Sequence, residues 1–303
     1  ARAAHAWETA IEAVRLPPPP VIPGEEADAL RLLASLARMR TGLAVDVEAL
    51  QPRLALLLAA EAWAAGSFRQ LWRRMRDLPP GHPLLERLVD SIADATSRFF
   101  ADSAALDALS DEIAPERLLA LGGDGVLDVW CVGCGTGEEV WSAAIRFSER
   151  GLVANRRVRI RGTDMSGAAI RHARAGVYGP HALRGVPEAV RARHFQPLSN
   201  GRYRVREALR DATFFEVRLL ADEPAGAGKH DAIVCHGLLG QLPPESRTAA
   251  VERLGTCLKP GGYLLVGRED HEAAASSSLA PVLLGRDLAY RTPGALVYTR
   301  ALS

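Results

Sequence analysis

A run of apolar residues that ends in closely spaced glycines constrains the fold of this chain more than any other feature. Residues 126–132 read Val-Leu-Asp-Val-Trp-Cys-Val, a composition typical of a strand buried on both faces of a parallel sheet. Gly133, Gly135 and Gly137 follow at once, and residues 138–149 return to helical spacing. A strand, a glycine turn and a helix in this order predict the first unit of a doubly wound α/β sheet, with a ligand site near the turn.

The second half of the chain repeats this alternation. Strand-like runs occur at residues 157–163, 231–235 and 263–267, and helical spacing occurs at residues 166–175 and 245–258. We therefore expect a Rossmann-like α/β domain over residues 98–303.

One segment, at about residues 191–220, breaks the alternation. Asn200-Gly201 is a dipeptide that favours a two-residue hairpin turn, and strand-like residues follow at 203–205 and 213–217. These residues predict a small antiparallel β-subdomain inserted into the α/β domain.

The first third of the chain contains no strand-like run. Pro17 to Pro20 cannot be helical, so residues 1–24 are predicted to form a tail and a stiff proline-rich linker. From residue 25 to residue 97, apolar residues fall at helical spacing, as Leu30, Leu33 and Leu36 do. This spacing predicts an all-helical N-terminal domain of about four helices.

Charge and composition exclude several classes of protein. Lys plus Arg total 37 and Asp plus Glu total 36, so the chain has no overall positive field that would favour nucleic acid. No apolar run reaches the roughly 18 residues of a membrane span. Residues 1–12 carry charges where a signal peptide needs an apolar stretch. We expect a cytoplasmic protein that does not insert into membranes.

The cysteines do not predict a metal site. Cys131 and Cys134 form a C-x-x-C pair, but a structural zinc site needs four ligands and no second pair follows. We interpret them as small residues packed beneath the glycine turn.

The glycine turn itself favours a ligand that carries an amine. Its spacing is G-x-G-x-G, whereas the turn that places a pyrophosphate on a helix N-terminus reads G-x-G-x-x-G. Glu138 and Glu139 also stand where a diphosphate would be repelled. Both features oppose a nicotinamide cofactor and suit S-adenosylmethionine, although glycine turns also occur for purely structural reasons.

An acidic residue at the end of the second predicted strand has two interpretations. The Asp164 carboxylate can accept both ribose hydroxyls of an adenosyl group bound at the strand ends. Alternatively, Asp164 caps the helix that begins near Ser166, a frequent use of aspartate.

At four motifs the chain resembles the CheR family of chemotaxis-receptor methyltransferases. Residues 130–142 read W-C-V-G-C-G-T-G-E-E-V-W-S, close to the family's W-S-A-G-C-S-T-G-E-E-P-Y-S. Residues 163–178 match the pattern T-D-I-x-x-x-A-L-x-x-A-R-x-G-x-Y, and residues 258–264 continue the likeness. Arg40-Thr41-Gly42 stands where the helical domain of the family has R-T-G.

This resemblance implies a fold, a reaction and a set of residues. Family members have a helical domain, a methyltransferase domain and an antiparallel subdomain that grips a receptor tail in some of them. They transfer the methyl group of S-adenosylmethionine to receptor glutamates and release S-adenosylhomocysteine. The residues that the likeness implies for cofactor binding are Ser97, Gly133, Gly135, Gly137, Glu139, Asp164, Met165, Arg218, Leu219, Cys235 and His236.

The chain departs from the family where the acceptor is handled. The family's T-x-F-F-R appears at residues 97–101 as S-R-F-F-A, so its arginine is Ala101, with Arg98 nearby. Its C-R-N-x-x-I-Y-F appears at residues 235–242 as C-H-G-L-L-G-Q-L. Gly237 thus replaces the asparagine and Gln241 replaces the tyrosine.

A further departure lies on the cofactor side. The family's N-L-L, which helps to hold adenine, is Arg218-Leu219-Leu220 in this chain.

Three explanations for these departures stay open. Arg98, His236 and Gln241 perform the lost positioning as catalytic residues, or the acceptor has changed, or methyl transfer has been abandoned. His236 could orient an acceptor or act as a base, or it could simply fill space. The leading hypothesis is a protein-glutamate O-methyltransferase, and the alternative is a degenerate signalling module that binds the cofactor or its product.

The expected partner is a chemoreceptor-like or other Glu-bearing helical signalling protein. We expect a basic face formed by Arg69, Arg73, Arg74 and Arg76 to dock it, together with the β-subdomain. The same arginines could equally be a solvated helix face above an apolar stripe.

Overall fold

The computed structural model describes residues 24–60, 66–79, 82–92, 97–224, 226 and 228–293. Contacts divide the chain into two units, residues 1–92 and 93–303, and each is described by itself. The predicted tail and linker lie outside the described residues, apart from Gly24. Within the described part of the chain, every helix is too short or too polar to cross a membrane.

The first unit is helical, as its spacing predicts. Its described helices are α1 (Gly24–Thr41), α2 (Val47–Ala60), α3 (Phe68–Met75) and α4 (Pro83–Ile92). Leu30, Leu33 and Leu36 are buried, so the helical period does define an inward face of α1. Gly42 ends α1 in the left-handed conformation, with φ of +74°, a position that glycine occupies without strain.

The second unit contains two sheets. Its strands are β1 (Leu127–Val132), β2 (Val158–Asp164), β3 (Val177–Tyr178), β4 (Phe195–Pro197), β5 (Tyr203–Val205), β6 (Thr213–Val217), β7 (His230–Cys235), β8 (Leu258–Val266), β9 (Ala280–Leu284) and β10 (Asp287–Arg291). The large sheet has the order β6-β2-β1-β7-β8-β10-β9, and the small sheet has the order β3-β5-β4. β6, β2, β1, β7 and β8 are parallel, and β10 runs antiparallel to β8 and β9.

Helices cover the large sheet on both faces. The described α-helices of this unit are α5 (Ser103–Ala108), α6 (Ala114–Leu121), α7 (Glu138–Glu149), α8 (Gly167–Ala175), α9 (Glu188–His194), α10 (Pro244–Cys257) and α11 (His271–Ala275). Alternate residues of β1 serve the two faces, since Val129 and Cys131 join the core that includes α7, whereas Trp130 and Val132 join the core that includes α10. A parallel sheet buried on both sides is what the apolar β1 run predicts.

The small antiparallel sheet differs from its predicted extent. Asn200-Gly201 does form the turn between β4 and β5, with Gly201 at φ of +76°. The prediction that residues 213–217 belong to this subdomain is wrong, because they form β6 and pair with β2 in the large sheet. Phe215 of β6 packs against Trp141 of α7, with ring centroids 5.2 Å apart. Strand-like spacing alone does not distinguish an edge strand of a parallel sheet from a hairpin strand.

Two strand pairings have no counterpart in the prediction. β3 pairs with β5, so the small sheet begins well before residue 191. β9 and β10 form a hairpin at the edge of the large sheet, joined through Gly285, whose φ is +54°. A positive φ in a two-residue hairpin turn is the usual use of glycine.

Candidate active site

A cavity of about 830 Å³ opens where β1, β7 and β8 end. Its lining comes from the glycine turn after β1, the first turn of α7, residues 97–106, and the segments that follow β7 and β8. The carboxyl ends of parallel strands meet at one edge, which is where ligands bind in open α/β sheets. The volume suits a ligand of the size of a modified nucleoside.

The three glycines of the turn have different surroundings. All are left-handed, with φ of +69° at Gly133, +52° at Gly135 and +94° at Gly137. A Cβ atom at Gly135 would meet no atom within 4 Å, whereas one at Gly137 would lie 2.7 Å from Cβ of Ala173 in α8. Gly133 and Gly135 line the cavity, but Gly137 allows α7 and α8 to pack closely. Helix packing therefore explains the glycine at position 137 more simply than the predicted contact with a cofactor does.

Asp164 joins the glycine turn to the start of α8. Its Oδ2 accepts a hydrogen bond of 2.9 Å from the amide of Gly135, and its Oδ1 accepts one of 2.8 Å from the amide of Ser166. The N-cap of α8 is Ser166, whose hydroxyl accepts a hydrogen bond from the amide of Ala169, so Asp164 supports the cap residue and is not itself the cap. A carboxylate has about four acceptor positions, so the predicted bond to ribose does not compete with these contacts.

Glu139 and His236 form an ion pair in the cavity. Glu139 lies in the first turn of α7 and His236 follows β7 directly, and Nδ1 of His236 is 2.5 Å from Oε1 of Glu139. Burial lowers the pKa of the imidazole, but attraction to the Glu139 carboxylate and the hydrogen bond to it outweigh burial and raise the pKa of His236 to about 9. This direction favours the charged imidazole, and the contact with Glu139 gives His236 a polar partner in the cavity.

Glu138 is a buried acid whose role sequence reasoning missed. Its side chain accepts hydrogen bonds from the hydroxyls of Thr136, at 2.7 Å, and Ser97. Burial raises the pKa of Glu138 to about 7, more than these bonds lower it. Ser97 also lines the cavity, so Glu138 holds a cavity-lining residue in place through this hydrogen bond. The apolar residues Val140 and Trp141 that follow Glu138 could have indicated its burial, because most of the surface of α7 is buried.

The predicted catalytic residues come together in this cavity. Arg98, His236 and Gln241 all line it, although they come from separate parts of the chain. The Gln241 amide donates a hydrogen bond of 2.8 Å to the carbonyl of Gly237, which itself has φ of +73°.

Six predicted cofactor residues do not line this cavity: Gly137, Asp164, Met165, Arg218, Leu219 and Cys235. Arg218 follows β6, and its amide donates a 2.9 Å hydrogen bond to the carbonyl of Asp164, so it lies beside the predicted ribose position. Its guanidinium binds the carboxylate of Glu216 at 2.9 Å. Cys235 is buried at the end of β7. Their contacts with a cofactor stay predictions.

The described residues contain no group of three or more His, Cys, Asp or Glu side chains that could hold a metal ion. Cys131 and Cys134 are buried free thiols. Burial raises the pKa of each thiol well above its ordinary value, so neither is a reactive thiolate at neutral pH.

The family of the chain follows from a match to known proteins. The family described as "CheR methyltransferase, SAM binding domain" matches residues 95–278, which is more than half of the chain. The chain therefore belongs to the CheR methyltransferase family.

Curated relatives agree with this assignment. The chain is 31% identical over 194 residues to "Chemotaxis protein methyltransferase 1" of Pseudomonas aeruginosa, covering 62% of this chain and 70% of the relative. It is 28% identical to "Chemotaxis protein methyltransferase Cher2" of Pseudomonas putida, covering 67% and 75%. It is also 26% identical over 83% of its own length to the "Probable biofilm formation methyltransferase WspC" of the latter species, of which the match covers 59%.

The cofactor of this family, S-adenosylmethionine, fits the residues present. The open space beyond Gly135 admits a ligand next to the backbone. The carboxylate of Glu139 lines the same cavity, and a carboxylate is a suitable partner for an ammonium group. S-adenosylmethionine is accordingly the cofactor of this protein.

Proposed function

We propose that this protein is a methyltransferase that esterifies glutamate side chains of a helical, chemoreceptor-like signalling protein. One observation carries the proposal. A single cavity brings together the residues of a cofactor wall, defined as Gly133, Gly135 and Glu139, and those of an acceptor wall, defined as Arg98, Gly237 and Gln241. The names of two relatives, both chemotaxis protein methyltransferases, support this choice of acceptor.

The cofactor wall and its neighbours would hold the cofactor along the edge of the sheet. Glu139 would bind the ammonium group, the backbone at Gly133 and Gly135 would pass beside the ligand, and Asp164 would accept from the ribose hydroxyls. Arg218 and Leu219, next to Asp164, would border the adenine. When bound, the cofactor supplies a methyl group on a positively charged sulfur.

The acceptor wall would align a carboxylate and needs no base. A glutamate side chain is already anionic at neutral pH, so the protein must position it and remove water from it. Arg98 and the charged imidazole of His236 would attract the acceptor carboxylate, and the amide of Gln241 could donate a hydrogen bond to it. Arg98, His236 and Gln241 would together take over the positioning done by the arginine, asparagine and tyrosine of the family pattern.

The basic face of α3 is the proposed partner surface. Phe68, Leu71 and Met75 are buried on one side of this helix, whereas Arg73 is exposed on the other. Arg69 forms a 2.5 Å ion pair with Glu25, and Arg76 pairs with Asp77 at 2.8 Å. Exposed ion pairs of this kind contribute little to stability, so these arginines could exchange their partners for the carboxylates of an acidic helix.

A transfer assay tests the proposal. The protein is incubated with methyl-labelled S-adenosylmethionine and a helical receptor fragment, with a fragment carrying Glu→Gln at its acceptor positions as the control. We expect label in the first fragment alone, and we expect mild base to release it because it is an ester. Base-stable label would contradict a carboxyl acceptor.

A second candidate function is a signalling module that binds the cofactor without transferring its methyl group. Two features of the acceptor wall favour it: Gly237 offers no side chain, and the Gln241 amide is already bonded to the carbonyl of Gly237. This candidate predicts normal binding of S-adenosylhomocysteine together with no labelled receptor fragment in the same assay.

A further inference from the structure

A buried carboxylate next to His236 has no partner for either of its oxygens. Asp270 ends the 3-10 turn Arg268–Asp270 that follows β8, and the residue is 1% exposed. Among the described residues, neither Oδ1 nor Oδ2 receives a hydrogen bond. Burying a carboxylate without a partner is costly, so an unsatisfied buried group of this kind calls for an explanation.

The topology brings Asp270 close to His236. β7 and β8 are neighbouring parallel strands, with Cys235 paired to Val266, so the residues that follow the two strands enter the same region. A Cβ atom at Gly240 would lie 3.9 Å from Oδ1 of Asp270, which places this carboxylate against the segment that begins with His236. The Nε2 atom of His236 is buried and likewise has no hydrogen-bond partner among the described residues.

His236 and a bound cofactor compete for one carboxylate. Nδ1 of His236 lies 2.5 Å from Glu139, and Glu139 is the residue proposed above to hold the ammonium group. Both groups are cations, and an ammonium group that takes Oε1 of Glu139 would displace Nδ1 of His236 from that oxygen. The imidazole would then need another anion.

We propose that Asp270 is a positioning residue that receives His236 when the ammonium group of the cofactor takes Glu139. Before binding, Glu139 pairs with the imidazole, and neither oxygen of Asp270 has a hydrogen-bond partner among the described residues. After the exchange, the ammonium group pairs with Glu139 and the imidazole pairs with Asp270, so these four charges are paired. This inference rests on the proposed cofactor site and adds to it a residue that does not touch the cofactor.

The charges around His236 agree with such an exchange. Carboxylates act on the imidazole from four separate segments: Glu139 in α7, Asp102 before α5, Asp287 in β10 and Asp270 after β8. Burial and the negative charge of Glu269 raise the pKa of Asp270, and the positive charges of Arg247, His236 and His271 oppose this rise. Asp270 is thus stabilised as an anion whenever the imidazole approaches it.

The substitution Asp270→Asn tests the proposal because two of its effects have opposite signs. At pH 8 the cofactor-free variant should unfold at a temperature about 2–4 °C higher than the wild type, because an unpartnered buried charge is gone. The same variant should bind S-adenosylhomocysteine about tenfold more weakly in calorimetric titration, because the displaced imidazole has lost its anion. A carboxylate with a merely structural role would not produce this pair of opposite changes.

Asp287→Asn is the matched control. It removes another carboxylate that acts on His236 by charge, but Asp287 is partly exposed and accepts a hydrogen bond from a backbone amide. We expect its affinity for S-adenosylhomocysteine to stay within twofold of the wild type. NMR titration of the His236 ring provides a second readout: on binding of S-adenosylhomocysteine its pKa should depend on Asp270 and no longer on Glu139.

Glu139→Gln separates this inference from the proposed function. If Glu139→Gln weakens binding and Asp270→Asn does not, the cofactor site stands and the role of Asp270 is wrong. If Glu139→Gln leaves binding unchanged, the proposed position of the ammonium group is itself wrong. A structure with bound S-adenosylhomocysteine in which His236 still contacts Glu139 would also overturn the exchange.

Discussion

The cofactor wall and the acceptor wall of the cavity are held in different ways. On the cofactor wall, Asp164 binds the amide of Gly135, and His236 binds the carboxylate of Glu139. On the acceptor wall, Gly237 has no side chain, and the side-chain amide of Gln241 donates a hydrogen bond to the neighbouring carbonyl of Gly237. The backbone of the glycine turn therefore fixes the cofactor wall, whereas side chains form most of the acceptor wall. Such side chains can change in evolution without disturbing the fold.

The largest expected effect distinguishes two glycines within one turn. Gly137→Ala should lower the free energy of unfolding by about 2–5 kcal/mol, because the new Cβ would both collide with Ala173 and adopt a strained positive φ. Gly135→Ala should cost only about 1–2 kcal/mol, since its Cβ points into open space. Only Gly135→Ala should lose affinity for S-adenosylhomocysteine beyond what its stability explains. Equal losses of stability in urea unfolding would contradict the different roles assigned to the two residues.

The second prediction concerns the acid behind the cofactor wall. The pKa of Glu138 is raised to about 7 in the folded protein, whereas the unfolded chain releases this proton near pH 4.5. The protonated acid therefore stabilises the fold fully below pH 4.5, and this contribution is lost as the pH rises through 7. The wild type should lose up to about 3 kcal/mol of unfolding free energy over this range. Urea unfolding of Glu138→Gln over the same range should lack this loss.

The His236–Glu139 pair should produce a similar loss at higher pH. Because the pKa of His236 is raised to about 9, its charge stabilises the folded protein fully below pH 6.5, and this stabilisation disappears as the pH rises through 9. We expect about 1–3 kcal/mol, less than full burial would give because both side chains are partly exposed. His236→Gln should remove the dependence between pH 6.5 and 9, measured by urea unfolding. A variant that keeps the wild-type slope would show that the pair is not ionic.

The smallest effects should come from the acceptor wall. Arg98→Ala and Gln241→Ala should change stability by less than about 0.5 kcal/mol, because neither side chain is fully buried. Their affinity for S-adenosylhomocysteine should stay within about twofold, whereas kcat/KM for methyl transfer should fall by about tenfold or about 1.4 kcal/mol. A loss of cofactor affinity equal to the loss of transfer would remove the distinction between the two walls.

Local patterns in the sequence predict the part of the fold that positions the cofactor. The apolar run of β1, its glycines and the helical spacing of α7 suffice to place a ligand site after β1, because each signal lies within a few residues of the next. Local patterns do not predict the hairpin β9–β10 or the position of β6. Both depend on which strand lies beside which, and the spacing of side chains carries no such information.

The candidate site divides in the same way. Gly133, Gly135 and Glu139 belong to one contiguous motif, so a sequence pattern finds them together. The pair between Glu139 and His236 joins residues 97 positions apart and depends on β1 and β7 being neighbours in the sheet. The burial of Asp270 depends on the packing of the segments that follow β7 and β8. No local sequence pattern predicts the pair between Glu139 and His236 or the burial of Asp270.

Calorimetric titration with S-adenosylhomocysteine tests the central claim, that the cofactor binds at the edge of the sheet beside Asp164. The wild type, Asp164→Ala and the control Asp211→Ala would be compared. Asp211 is exposed and precedes β6, so it lies at the amino ends of the strands, whereas Asp164 lies at the carboxyl end of β2. We expect one bound ligand per chain, at least a tenfold loss of affinity in Asp164→Ala, equivalent to about 1.4 kcal/mol, and no change in Asp211→Ala. Absence of binding to the wild type, or equal affinities for all three proteins, would contradict the account.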